Sequence, residues 1–128
     1  MMVAGVGCRK GADAAQIEAA ICAALAHKGL ATGALALIAT SAMKASEPGI
    51  KAAAAALGLP LVRVSQRELE AAGARAETQS ERVLALTGVP SLAEAAALAA
   101  AGPAARLLAR RVVVGPATCA LAESGDRP

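Results

Sequence analysis

The sequence predicts an α/β fold: a single three-layer α/β/α domain with a mixed, mostly parallel sheet and a C-terminal strand or hairpin. Three observations carry that expectation. Short apolar runs at 2–6, 35–40 and 61–64 alternate with stretches of helical periodicity, the pattern of strands joined by crossover helices. Capping pairs stand at the joints: Asp13 with Gln16, Ser65 with Glu68, and Ser91 with Glu94, each with the spacing of a capping box. The segment 105–122, ARLLARRVVVGPATCALA, holds two apolar runs about Gly115-Pro116 and reads as one or two final strands.

Taken in order, residues 1–11 (MMVAGVGCRKG) form a short buried strand that breaks into a glycine loop of Gly5, Gly7 and Gly11. Ile17, Ile21, Ala24, Leu25 and Lys28 fall on helical spacing, giving a helix over about 13–28 with Gly29 as its C-cap. Residues 35–40, LALIAT, suit a buried parallel strand. The polar loop SAMKASEPG follows, and Pro48 belongs in the first turn of a second helix, with Glu47 or Ser46 at its N-cap and Gly58 at its end. LVRV at 61–64 is a third strand, and Ser65 opens a short helix ending near Gly73. ARAETQSE at 74–81 is a surface loop. Ser80 caps a turn of helix through Leu86, which Gly88-Val89-Pro90 breaks. A helix over 92–101 ends at Gly102-Pro103. Residues 1–122 make the domain and 123–128 a polar tail.

Composition narrows the function. The chain of 128 residues has no Phe, Tyr or Trp, so Ala, Leu, Val and Ile must fill its core. Alanine inflates the hydrophobic fraction of 56%. Lys28, Lys44, Lys51, Arg63, Arg67 and Arg82 interrupt the chain too often for a spanning helix of roughly 20 apolar residues. No signal-peptide order is present at the start, and the expected location is cytoplasmic. Cys8, Cys22 and Cys119 are odd in number and widely spaced, neither a disulfide framework nor a zinc site. With a single histidine, no metal and no cofactor are expected. Net charge is a mild +3 with no aromatics for bases to stack on, so nucleic acid is a poor partner and an acidic small molecule a better one.

In a sheet of this kind ligands bind outside the carboxyl ends of the strands. Those ends carry Gly7 to Gly11, Thr40 and Ser41 through Glu47, and Ser65. The glycine loop followed by a helix start offers backbone N–H groups to an anion, and Arg9 and Lys10 add positive charge. Its GxGxxxG spacing is not the dinucleotide fingerprint, and Thr40-Ser41 stands where that fold wants an acid. There is no Walker A loop and no GxSxG elbow. Lys44 and Glu47 are the best polar pair, a carboxylate holder and a general base, against an exposed lysine and a helix-start glutamate. Cys8 cannot pair with His27, about 20 Å away along the first helix. It is either a low-pKa thiol beside Arg9 or a small, partly buried loop residue. Cys22 and Cys119 read as core. Ser80, Ser91 and Glu94 are most simply helix caps, with Glu94 facing the pocket as the alternative. Arg110 and Arg111 are a solvated turn or further carboxylate ligands.

Several pieces together resemble the family of CobE and the C-terminal domain of CbiG, of cobalamin biosynthesis. They are GVGCRKG at 5–11; Thr40 with Lys44, Glu47, Pro48 and Gly49; LGLPL at 57–61; Ser80; GVPSLAEAAAL at 88–98; and TCALA at 118–122. One departure is Arg110-Arg111, where the family typically has a lysine after the Leu-Leu pair. The resemblance implies a protein that binds or hands on a polycarboxylate corrin-pathway intermediate of precorrin or hydrogenobyrinic acid type. It implies ligand contacts from Gly5, Gly7, Cys8, Arg9, Lys10, Gly11, Thr40, Ser41, Lys44, Glu47, Ser80, Glu94 and Thr118. Two alternatives stand beside it. One is a hydrolase that opens the lactone of a precorrin-5 type intermediate with release of acetaldehyde. Glu47 would then activate water, Lys44 would stabilise the oxyanion, and Cys8 is a weaker covalent variant. The other is an accessory partner of a pathway methyltransferase or other cobalamin-pathway enzyme. The oligomeric state is left open.

Overall fold

The computed structural model describes residues 1–80, 84 and 91–125. Five strands form one sheet: β1 (Met2–Cys8), β2 (Leu37–Ser41), β3 (Leu61–Val64), β4 (Arg106–Val114) and β5 (Ala117–Glu123). Among the described residues, the helices with given bounds are α1 (Ala14–Ala26), α2 (Pro48–Leu57), α3 (Gln66–Gly73) and α4 (Leu92–Ala101). The strand order is β3-β2-β1-β5-β4. β1 pairs parallel to β2 and β2 parallel to β3, whereas β5 lies antiparallel to both β1 and β4. All strands but β5 therefore run one way, and the carboxyl ends of β1 to β4 share an edge with the start of β5.

Alternation along β1 divides the core. Ala4 and Val6 meet Ile17 and Ile21 of α1 and Ile50 of α2 on one face. Val3 meets Leu69 of α3 and Ala96 and Leu98 of α4 on the other. This is the predicted three-layer arrangement. α4 is almost wholly alanine, and Ala95, Ala96 and Ala97 are fully buried. Its approach to the sheet depends on Gly5, where an added Cβ would collide with the Ala93 carbonyl and lie 2.6 Å from Ala97 N. A side chain at this β1 position would push the helix off the sheet.

Several boundaries differ from those read in the sequence. Gly5 and Gly7 belong to β1 and not to a loop; the turn is confined to residues 9–13, with Gly11 at φ +86. A strand with so few side chains looked too weak to continue, but its glycines serve the close packing of α4. β2 begins at Leu37, after a single 3-10 turn at Thr32–Ala34. The hairpin of β4 and β5 forms, with β5 inserted beside β1 and β4 at the sheet edge. Glu123, expected to open the tail, is the last residue of β5 and pairs with Arg106 at 3.0 Å. Cys119 is buried as expected, but Cys22 is exposed on the outer side of α1. The helical turn from Ser80 through Leu86 and the break at Gly88-Val89-Pro90 fall, apart from Ser80 and Leu84, outside the described residues.

The capping pairs behave differently from one another. Asp13 with Gln16 and Ser65 with Glu68 form complete reciprocal boxes. At α4 only half the box exists. Ser91 Oγ accepts from the Glu94 N–H at 3.4 Å, while the Glu94 side chain turns elsewhere.

Candidate functional site

A cleft of about 540 Å³ opens at the shared strand edge, within the range of roughly 300–1,000 Å³ usual for small-molecule sites. It lies where the chain reverses its direction of travel across the sheet, with β2 on one side of β1 and β5 on the other, the position expected of a binding crevice in an open α/β sheet. Gly7, Cys8 and Arg9 supply its floor from the end of β1, and Ser41, Met43 and Lys44 one wall from the end of β2. Arg111 and Val113 of β4, the Gly115-Pro116 turn and Thr118 of β5 form the opposite wall. Gln66 at the start of α3, Ser80 and Leu92 close the remaining side.

Three cations (Arg9, Lys44 and Arg111) and three hydroxyls (Ser41, Ser80 and Thr118) line this space, with apolar surface from Met43, Leu92, Val113 and Pro116. Among the described residues none of the lining is acidic. Local structure holds these groups in place. Ser41 Oγ accepts the Lys44 N–H at 3.1 Å, fixing the turn that carries the lysine. Arg9 N–H donates to Pro116 O at 2.9 Å, tying the β1 exit to the hairpin turn. Thr118 Oγ1 donates to Gly7 O at 3.2 Å across the β1–β5 pair. Met43 and Val113 are among the most exposed apolar side chains of the molecule, so the mouth of the cleft is apolar on both sides.

Of the residues singled out in the sequence, Gly7, Cys8, Arg9, Ser41, Lys44, Ser80, Arg111 and Thr118 come together on the cleft wall; Arg111 lies within β4 and not in a turn. Gly5 lies under α4. Lys10 is exposed and is not among the cleft-lining residues. Thr40 is buried, and its hydroxyl donates to Val6 O at 2.8 Å, a strand-to-strand tie. The anion site expected at the glycine loop of Gly5, Gly7 and Gly11 is not formed by Gly5 and Gly7, which lie in β1, and the turn that remains satisfies N–H groups from within. Gly11 N–H donates to Glu47 Oε1 at 3.1 Å, Ala12 N–H to Arg9 O, and Asp13 N–H to Gln16 Oε1. Asp13 Oδ1 in turn caps α1 by accepting the Gln16 N–H at 2.9 Å. Glu47 is thus the anion of that turn and is not among the cleft-lining groups.

Cys8 faces the cleft, but its thiol is not the low-pKa nucleophile that proximity to Arg9 suggested. Burial pushes it above its usual range; nearby Lys44 draws it down, and Glu47 adds to the rise. The helix N-terminus that could have stabilised a thiolate is spent on Asp13.

Glu94 is fully buried, with its carboxylate turned away from Ser91. Oε1 accepts the Glu77 N–H at 2.7 Å and the Thr78 N–H at 2.8 Å. Oε2 accepts the Thr78 hydroxyl and, at 2.8 Å, the Arg111 N–H. Burial acts to raise this carboxyl, but these four donors outweigh it and hold it below the ordinary range.

Met43, Gln66, Leu92 and Val113 are cleft residues that sequence reasoning missed. Gln66 was knowable in outline, because it follows β3 directly at the same sheet edge as Ser41. Val113 required the register of the hairpin.

Comparison with known proteins agrees with this geometry. Residues 2–122 match the family model described as Cobalamin synthesis G C-terminus. The chain is 40% identical over 121 residues to Protein CobE of Sinorhizobium sp, covering 94% of this chain and 79% of that protein. It is similar to the crystal structure of CobE, a protein from the cobalamin (vitamin B12) biosynthetic pathway, with TM-score 0.89 and 33% identity over 95% of this chain and 89% of that one. It also resembles the cobalamin biosynthesis protein chiG from Agrobacterium tumefaciens str. C58, with TM-score 0.78 and 47% identity over 98% of this chain and 100% of that one.

Proposed function

The chain belongs to the cobalamin synthesis G C-terminus family and is a protein of cobalamin biosynthesis, and from that premise we propose that it binds a polycarboxylate corrin-pathway intermediate in the cleft at the strand ends. The observation that carries this reading is the lining itself: Arg9, Lys44 and Arg111, with no carboxylate among the described lining residues. A corrin precursor presents a ring of acetate and propionate arms around an apolar macrocycle. Cations and hydroxyls inside the cleft suit the arms, and the apolar mouth of Met43 and Val113 suits the macrocycle edge, with no aromatic to stack on it.

The structure supports binding over lactone hydrolysis. A hydrolase of the expected kind needs Glu47 as base, and that carboxylate is hydrogen-bonded to Gly11 and off the cleft wall. Burial pushes the Cys8 thiol up from its ordinary range, the direction opposite to that of an activated nucleophile.

The test is a visible-absorbance titration with hydrogenobyrinic acid, the protein itself being nearly silent in the near ultraviolet. Saturable binding without change of the ligand is expected. Lys44→Ala and Arg111→Ala should each weaken it about tenfold, the usual worth of one charge-assisted contact. Affinity should also fall with added salt. Absence of binding, or wild-type affinity in both variants, overturns the proposal.

A further inference from the structure

The least expected polar group in the molecule is the Glu94 carboxylate, fully buried in an otherwise apolar helix. Burying a carboxylate is costly unless hydrogen bonds replace its water, and here four donors do so. Those donors come from two separate segments, each of which also carries a cleft residue. Glu77 and Thr78 belong to the connection that leads, two residues later, to Ser80. Arg111 belongs to β4. The β4–β5 register slips between Ala109 and Val112, and a bulge there leaves a backbone N–H without its ladder partner. The Arg111 N–H meets Glu94 Oε2 at 2.8 Å. The carboxylate therefore takes the place of a strand in stabilising the bulge that carries a cleft cation.

We propose that Glu94 is a positioning residue for the ligand site: one buried carboxylate clamps the Thr78–Ser80 connection to the β4 bulge and thereby sets where Ser80 and Arg111 stand on the cleft wall. This rests on the binding role proposed above. Glu94 touches no ligand; it acts through Arg111 and Ser80. The charge matters as much as the shape, because a carboxylate accepts on both oxygens and an amide on only one. In Glu94→Gln a nitrogen facing the Glu77 and Thr78 N–H groups strands both, whereas one on the other side strands the Arg111 N–H while the Thr78 hydroxyl can turn to accept from it.

The test combines two readouts on wild type, Glu94→Gln, Arg111→Ala and the double variant. In ligand-free protein, amide hydrogen exchange at Glu77, Thr78 and Arg111 should be slow in wild type and faster in Glu94→Gln. In titration with hydrogenobyrinic acid, Glu94→Gln should lose affinity about as much as Arg111→Ala, roughly tenfold. The double variant should lose less than the product of the two, since both changes act on the Arg111 contact and only the part carried by Ser80 is separate. Thr78→Val removes one donor and leaves the other three, and serves if Glu94→Gln does not fold; it should lose about threefold. Wild-type affinity in the Glu94 and Thr78 variants, or losses that multiply in the double variant, overturn the positioning role while leaving the binding site intact. Failure of wild type to bind removes the proposed function, and this inference with it, and is recognised because no variant then has affinity to lose.

Discussion

At the scale of single residues, Gly5 decides how near α4 comes to the sheet. The groups that a Cβ would strike are the backbone of Ala93 and Ala97, and backbone cannot swing aside as the end of a side chain can. Gly5→Ala should therefore destabilise the fold by about 3 kcal/mol, the upper part of the overpacking range, measured as a lowered urea midpoint. A change under about 0.5 kcal/mol would mean that α4 can slide. The sequence held a clue to this, since an isolated glycine in an apolar run signals close backbone approach as readily as a loop. Three glycines before a helix start favoured the loop. What told them apart was the partner helix, some ninety positions further along the chain and invisible to local reading.

Elements were most readable where their ends are chemically marked. α3 and α4 lie where Ser65 and Ser91 announced them, and α2 runs from Pro48 to Leu57, before Gly58. α1 starts after Asp13, whose box with Gln16 is complete. Asp13→Ala should cost about 1 kcal/mol of stability in denaturant unfolding, the usual worth of an N-cap. It should leave ligand affinity at the wild-type value, because this helix start binds its own side chains and not the cleft. A loss of affinity matching Lys44→Ala would return the turn at residues 9–13 to the site. Less readable was the half-box at α4. Ser91 and Glu94 have the right spacing, yet the glutamate has three backbone donors and a hydroxyl elsewhere, and these outbid one N-cap N–H. Spacing reveals that a reciprocal bond is possible; only the fold supplies the competitors. The cleft followed the same rule. Arg9, Ser41 and Lys44 were found because strand ends can be located locally; Arg111 could be named only as one alternative to a solvated turn, and Val113 not at all, because both depend on the hairpin bulge and its register.

For the molecule as a whole, Glu94 links the α3–α4 connection, α4 and β4, so its ionisation belongs to global stability. Its carboxyl is held below the ordinary range in the fold. A carboxyl of that kind contributes stability that is full above its unfolded pKa, about 4.3, and is lost as pH falls through the folded value. Wild type should therefore lose Tm more steeply below about pH 4.3 than Glu94→Gln, which has no proton to take up; parallel curves would contradict the assignment. The sheet order carries a consequence for how the chain is made. Of the five described strands, β1 comes first in the chain and lies at the centre of the sheet, and its neighbour β5 comes last; the Gly7–Thr118 bond spans 111 positions. At a ribosomal pace of about 5–20 residues per second, β1 waits on the order of ten seconds for that neighbour. During that interval it has one open hydrogen-bonding edge and no cleft beside it, since Thr118 and the hairpin turn have yet to appear. The ligand site and the completed sheet therefore come into being together, when β5 joins β1.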